Sequence, residues 1–158
     1  MRRFASVLFA LVTLASPMAV QADPDFSGTW KLDMAAAQGP MAPQSMTLAI
    51  TQDSNTVKIE SAATTQMGDQ QINTVINLDG SQSKNVNSTP AGDIEMTSTA
   101  AWDSSALVVT TRMQFQGQAV QQTDRWSLDT TGKTLHLDRV IGVAGQSFNL
   151  KLTFTKRQ

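Results

Sequence analysis

Apolar and polar residues alternate one by one along most of the chain from Phe26 onward. Successive side chains of a β-strand point to opposite faces, so a period of two predicts strands that bury one face and expose the other. Turn-forming residues recur about every 8–12 positions, the spacing typical of β-sandwiches and barrels. We predict ten strands, over residues 26–33, 45–52, 56–64, 71–78, 81–88, 93–102, 106–115, 119–128, 133–141 and 147–156.

The hairpin around Asp103 defines a register that can be tested. Pairing Trp102 with Leu107 puts the apolar residues of both strands on one face and most polar ones on the other. The same register pairs Ser98 with Thr111 and Met96 with Met113, all facing inward.

At the hairpin around Thr131-Gly132, we predict that Trp126 pairs with Leu135. That register sets Gln122 opposite Arg139 and leaves Asp124 diagonal to Arg139.

Ten short strands joined by tight turns close most economically into a barrel, because closure removes exposed strand edges. The predicted fold class is therefore all-β, a single antiparallel up-and-down barrel of about 8–10 strands. A helical turn is expected only at residues 34–37, and residues 34–44 are the one candidate for a mobile loop.

The N-terminus has the three regions of a secretory signal. Met1-Arg2-Arg3 is positively charged, residues 4–15 are mostly apolar, and Val20-Gln21-Ala22 places small residues where a signal peptidase reads them. The apolar run is too short to cross the ~30 Å hydrocarbon core of a membrane. We predict a cleaved signal peptide over 1–22, one domain over 23–158, and a periplasmic or secreted location.

Amino-acid composition and charge exclude several classes of binding partner and site. The chain has no cysteine, which excludes a lipid anchor, disulfides and cysteine-based metal sites. Removal of Arg2 and Arg3 with the signal leaves 10 basic residues against 13 acidic ones, a net charge of −3 without a basic patch. We therefore expect no nucleic-acid partner and no membrane span. The sequence predicts no cofactor and leaves the oligomeric state open.

The segment Gly28-Thr29-Trp30 resembles the Gly-x-Trp first strand of the lipocalin-like, calycin-type barrels. The ordered features that follow it resemble those of small exported bacterial proteins of this type: Leu78-Asp79-Gly80, Trp102-Asp103 before Leu107-Val108-Val109-Thr110, Asp124-Arg125-Trp126-Ser127-Leu128, and Gly132-Lys133-Thr134-Leu135. The resemblance covers nearly the whole predicted domain and implies a cup that holds a small hydrophobic molecule. The chain departs from fatty-acid carriers of this type, because it lacks their lid of two helices and the Arg-x-Tyr pattern of their last strand.

No catalytic or metal-binding group is predicted. His136, the only histidine, falls in the outward phase of its strand with no nucleophile implied nearby. Asp53, Asp79, Asp103 and Asp129 lie in predicted turns, where an aspartate caps its own backbone.

Arg139 carries the clearest candidate chemistry, because it shares an inward phase with Leu137, where an unpaired charge would be costly. We expect an interior polar cluster of Arg139, Gln122 and Asp124. Three interpretations stay open. Asp124 neutralises Arg139; or Arg139 stacks on Trp30, as an arginine does in the resembled family; or Arg139, assisted by Gln122, binds an anionic head group of a ligand.

Inward methionines suit either an adaptable cavity or gap-filling in a core, whereas small inward side chains leave room inside a barrel. The inward methionines are Met46, Met96 and Met113, and the small inward residues are Ser61, Thr74, Ser98, Ala100 and Thr111. The candidate ligand-binding residues are Arg139, Gln122, Asp124, Met96, Met113, Ser98 and Thr111.

The leading functional hypothesis is non-catalytic binding of a small, largely apolar or amphipathic molecule inside the barrel. The alternative is an interaction or inhibitor module that acts through exposed loops around a filled core. An enzyme is the least favoured class, since no catalytic constellation stands out.

Overall fold

The computed structural model describes residues 23–89 and 92–157 and contains ten antiparallel β-strands, with no helix among those residues. The predicted signal peptide, 1–22, lies outside the described residues. The strands are β1 (Gly28–Leu32), β2 (Ser45–Gln52), β3 (Thr56–Thr65), β4 (Gly68–Asn77), β5 (Ser83–Thr89), β6 (Gly92–Asp103), β7 (Ala106–Phe115), β8 (Gln118–Leu128), β9 (Thr134–Val143) and β10 (Gln146–Lys156). Each predicted strand is present, with bounds shifted by a few residues at most.

The strands form one sheet in the order β4-β3-β2-β1-β10-β9-β8-β7-β6-β5. Every neighbour along this order is also a neighbour in sequence, except that β1 pairs with β10 and so joins the two halves. The strands β4 and β5 are the two edges of the sheet, and they approach each other to make a nearly closed barrel. The predicted all-β, up-and-down barrel is confirmed.

The register of the β6–β7 hairpin is the predicted one. Trp102 pairs with Leu107, Ser98 with Thr111, and Met96 with Met113.

The predicted register of β8 and β9 is wrong by two residues. Trp126 pairs with Leu137, so Asp124 lies directly opposite Arg139, and Gln122 lies opposite Ile141. The cause is a longer loop, in which the carboxylate of Asp129 accepts hydrogen bonds from the backbone N–H groups of Lys133 and Thr134. A shift of two preserves the inward face, so the alternation alone could not detect it.

One end of the barrel is filled by a dense apolar core. Trp30, Phe26 and Phe154 are almost completely buried there, and Trp30 Nε1 donates to the carbonyl oxygen of Phe26 at 2.8 Å. Phe26 also stacks on Trp102, with ring centroids 6.0 Å apart. We call this end, which carries the turns at 53–55, 104–105 and 129–133, the closed end. Trp30 is therefore a buried anchor of the closed end.

The segment between β1 and β2 lies against the sheet. Met34 to Ala36 form a turn rather than a helix, and Gln38 then exchanges two backbone hydrogen bonds of 2.9 Å with Lys151 of β10. The middle of the segment predicted as a mobile loop is therefore docked on a strand.

Candidate functional site

An ion pair lies on the inner wall of the barrel. Arg139 Nε donates to Asp124 Oδ1 at 2.7 Å and Arg139 Nη2 donates to Asp124 Oδ2 at 2.8 Å, a bidentate contact between directly paired residues of β8 and β9. Gln122 Nε2 donates to Asp124 Oδ2 at 2.9 Å. The predicted cluster of Arg139, Asp124 and Gln122 therefore exists, and it forms because two facing strands place opposite charges side by side.

The pair is largely removed from water. The side chain of Asp124 is 7% exposed and that of Arg139 is 20% exposed. Burial lowers the pKa of Arg139, but the charge of Asp124 and its hydrogen bonds outweigh burial, so the pKa lies above its ordinary value. Arg139 therefore stays charged at every physiological pH.

Of the three interpretations offered for Arg139, the structure shows neutralisation by Asp124. Stacking of Arg139 on Trp30 is not what is found, because the cation over the Trp30 ring belongs to Lys156, whose Nζ lies 5.2 Å from the ring centroid.

Two hydroxyl groups extend the polar surface across the neighbouring strands. Ser98 Oγ and Thr111 Oγ1 are 2.8 Å apart, and both residues are buried. Thr111 pairs directly with Gln122 of β8. We call Ser98, Thr111, Gln122, Asp124 and Arg139 the polar band; it follows the inner face of β6 to β9 at middle height.

Burial of the inward residues changes along the barrel. Below the polar band, the closed end is lined by buried residues such as Val109, Trp126 and Leu137. Above it, towards the end that carries the turns at 66–67, 116–117 and 144–145, the inward residues are only half-buried: Met46, Ala63, Ile72, Ile94, Met113, Phe115, Val120, Ile141, Val143 and Phe148. We call this the open end, because solvent reaches the inner wall there.

The other predicted site residues divide between these two regions. Met96 is buried and lies next to the polar band on β6, whereas Met113, its partner on β7, belongs to the half-buried wall. Of the small inward residues, Ser98, Ala100 and Thr111 are buried, and Ser61 and Thr74 are half-buried.

The turn aspartates behave mostly as expected. The carboxylates of Asp53, Asp79 and Asp129 accept backbone hydrogen bonds within their own turns. The prediction for Asp103 is wrong. This residue ends β6 instead of lying in the turn, and its carboxylate forms a surface ion pair with Arg125 at 2.5 Å. His136 is exposed, as its outward phase predicts.

A concave surface near the open end lies mostly on the outside of the barrel. It is an open concavity of about 1010 Å³, lined by outward residues of β6 to β10 such as Glu95 and Arg112 and also by Met113, Val120 and Val143 of the inner wall. It does not include the polar band.

Sequence reasoning missed two features of the interior. Trp126 Nε1 is a buried donor without a hydrogen-bond partner in the described part of the chain, which no sequence pattern signals.

The second feature that sequence reasoning missed is the way in which side chains join the edge strands β4 and β5. Asn85 bonds through its side chain to both backbone groups of Val75, at 2.8 and 3.0 Å. Asn87 does the same with Asn73, at 2.7 and 2.9 Å. The feature of the sequence that could have predicted this closure is the pattern Asn85-Val86-Asn87, in which two asparagines flank an outward valine.

Solved structures share this fold. The zebrafish ileal bile acid-binding protein complexed with cholic acid is 16% identical, with a TM-score of 0.53 over 84% of this chain and 98% of that one. Secretory abundant heat soluble protein 4 from Ramazzottius varieornatus is 12% identical, with a TM-score of 0.52 over 87% and 99%. A Schistosoma mansoni fatty acid binding protein in complex with arachidonic acid is 11% identical, with a TM-score of 0.50 over 84% and 96%.

These similarities establish that the chain shares the barrel fold of these proteins, and nothing finer. No protein-family model matches the sequence, and no curated protein matches it either. Within the described residues there is no helix of the length and apolar character needed to cross a membrane.

Proposed function

We propose that this chain binds a small, largely apolar molecule inside its barrel, without catalysing a reaction. The observation that carries the proposal is the burial gradient of the inner wall. Apolar residues at the open end, such as Met113, Ile141 and Phe148, face inward yet are only half-buried. Most of those at the closed end are buried, apart from Trp102 and Leu128, which are half-buried and pack against the core. An apolar wall open to solvent above a polar band is the composition expected of a ligand pocket.

The structural neighbours support the same proposal. Two barrels of this fold are described in complex with an amphipathic molecule, cholic acid in one and arachidonic acid in the other. Function does not follow from fold alone, so the proposal rests first on the inner wall of this chain.

We place the mature protein in the periplasm or outside the cell, because residues 1–22 have the pattern of a cleaved secretory signal. Expression of the full chain in a bacterial host, followed by N-terminal sequencing of the exported protein, tests this. We expect the sequence to begin at Asp23; an uncleaved cytoplasmic product would contradict the placement.

Titration with the neutral fluorophore N-phenylnaphthylamine tests binding inside the barrel. We expect saturable enhancement of its fluorescence by the wild-type protein. Met113→Glu should weaken binding at least about tenfold, since it puts a charge on the apolar wall. The control is Met67→Glu, because Met67 is 66% exposed in a turn. No saturable binding, or equal loss in both variants, would contradict the proposal.

A second candidate is an interaction module, and one observation favours it. Met34 and Met41, in the segment between β1 and β2, are each 49% exposed, and Met67, in the turn between β3 and β4, is 66% exposed. Exposed methionines are common at adaptable protein-binding surfaces. If Met67→Glu weakens a protein interaction while the fluorophore fails to bind, this candidate replaces the first.

A further inference from the structure

Almost all the charged residues of the ten strands are exposed to solvent. Among the described strand residues, Asp124 and Arg139 are the only charged ones that are not exposed. They lie on facing positions and neutralise each other through two hydrogen bonds. At the polar band the inner wall therefore carries no net charge, although it contains a half-buried guanidinium.

The geometry of the pair leaves specific hydrogen-bonding capacity unused. Nε and Nη2 of Arg139 and Nε2 of Gln122 are all directed to Asp124. Arg139 Nη1 and Gln122 Oε1 have no hydrogen-bond partner within residues 23–89 and 92–157. The polar band thus offers one cationic donor and one neutral acceptor, on residues that are both partly open to solvent.

A carboxylate head group fits this surface poorly. To reach Arg139 it must approach the carboxylate of Asp124, and like charges in a site of low dielectric repel. Breaking the bidentate contact instead would leave Asp124 buried without its counter-ion. A hydroxyl or an amide both donates and accepts, so it can use the free donor and the free acceptor without disturbing the ion pair.

We propose that the ligand is an uncharged amphiphile, an apolar chain or ring with a hydroxyl or amide head group seated on the polar band. This inference rests on the proposed function and specifies its ligand class. Asp124 is the specificity-determining residue, because its charge cancels that of Arg139 and excludes anionic head groups.

Three probes with the same apolar chain test the proposal: lauryl alcohol, lauramide and laurate, each displacing N-phenylnaphthylamine at neutral pH. The wild-type protein should bind the alcohol and the amide at least about tenfold more tightly than laurate. Asp124→Asn should raise the affinity for laurate at least about tenfold, because Arg139 then lacks its counter-ion.

Asp138→Asn is the matched control. It makes the same carboxylate-to-amide change one residue from Arg139, on the exposed face of β9. We expect it to leave the order of the three affinities unchanged.

Asp124→Asn leaves a half-buried cation unpaired, so circular dichroism must show that the variant is folded. If it is not, Asp124→Asn combined with Arg139→Gln removes both charges and should keep the preference for the alcohol over laurate. A double variant that prefers laurate would overturn the proposal.

The remaining outcomes distinguish failure of the uncharged-ligand proposal from failure of ligand binding itself. Tighter binding of laurate than of lauryl alcohol by the wild-type protein would overturn the uncharged ligand and leave ligand binding standing. A folded Asp124→Asn that gains no affinity for laurate would do the same. Failure of the fluorophore and all three probes to bind would overturn ligand binding itself.

Discussion

Two tryptophans near the closed end differ in what their indole N–H groups contact. Trp30 Nε1 donates to the carbonyl oxygen of Phe26, and Trp30 has no exposed surface. Trp126 packs edge-on against the same Phe26, with ring centroids 6.4 Å apart, but its Nε1 has no acceptor in the described part of the chain. Both side chains therefore bury an indole ring, but only the N–H of Trp30 is hydrogen-bonded within the described residues.

We expect Trp30→Phe to destabilise the protein by about 1–3 kcal/mol more than Trp126→Phe. The first substitution leaves the buried carbonyl of Phe26 without its donor, whereas the second removes a donor that was already unpaired. Urea unfolding of the two variants measures the difference, and equal costs would show that the Trp30 hydrogen bond contributes nothing.

The surroundings of Gly28 explain why the Gly-x-Trp pattern begins with a glycine. Its φ is +136°, and a Cβ there would lie 2.5 Å from Cε of Lys156. The absence of a side chain lets Lys156 cross the strand and cover the Trp30 ring. The glycine and the tryptophan are thus linked through a lysine more than 120 residues away, a contact that sequence spacing could not predict.

At the scale of elements, alternation predicted the strands because each buries one apolar face, and it predicted the inward direction of Arg139 for the same reason. It could not fix the β8–β9 register, because side chains of the Asp129 loop determine the loop length. The predicted contact between Arg139 and Asp124 was nevertheless correct. An inward charge requires an opposite charge nearby, and Asp124 is the opposite charge on the same face. The asparagine contacts between β4 and β5 had no apolar pattern to reveal them.

Asn87 is the more buried of the two asparagines that join β4 to β5, at 6% exposure. We expect Asn87→Ala to cost about 1–3 kcal/mol, because it removes the two hydrogen bonds with the N–H and C=O of Asn73, each contributing ~0.5–1.5 kcal/mol. Hydrogen exchange at the Asn73 amide should accelerate as well. The control is Val86→Ala, since Val86 is 62% exposed on the same strand; an equal cost there would argue against the side-chain closure.

The segment between β1 and β2 offers a second test at this scale. Gly39 has a φ of +122°, and a Cβ there would lie 2.5 Å from the backbone oxygen of Asn149. Gly145 has a φ of +77° with no atom within 4 Å, so alanine at that position meets backbone strain alone.

We therefore expect Gly39→Ala to cost about 1–3 kcal/mol more than Gly145→Ala. It should displace the segment and break the two hydrogen bonds between Gln38 and Lys151, each contributing ~0.5–1.5 kcal/mol. Thermal unfolding compares the two variants. Equal melting temperatures would show that the docked segment adds no stability.

At the scale of the whole molecule, stability without disulfides depends on the core and on the turns that hold the strands in register. Three aspartates lie in these turns, Asp53, Asp79 and Asp129, and a fourth, Asp25, precedes β1. Each pKa is held below its usual value by hydrogen bonds, from Ser27 to Asp25, from Asn55 and Thr56 to Asp53, from Ser81 to Asp79, and from Thr134 and its neighbours to Asp129.

The sign of the pH dependence follows from that direction. The unfolded chain has aspartate pKa values near about 3.9, and the folded protein has lower ones. The contribution of these carboxylates to stability is therefore complete above about pH 4 and is lost as the pH falls through the folded-state values.

We expect urea midpoints of the wild-type protein to decrease between about pH 6 and about pH 3, and to decrease less in Asp53→Asn/Asp129→Asn. The double variant should be less stable than wild type at the higher pH, because each asparagine replaces a charged acceptor with a neutral one. Asp138→Asn, whose carboxylate accepts no hydrogen bond from the described residues, should follow the wild-type curve. If the double variant loses as much stability on acidification as wild type, the turn carboxylates are not the groups whose protonation weakens the barrel.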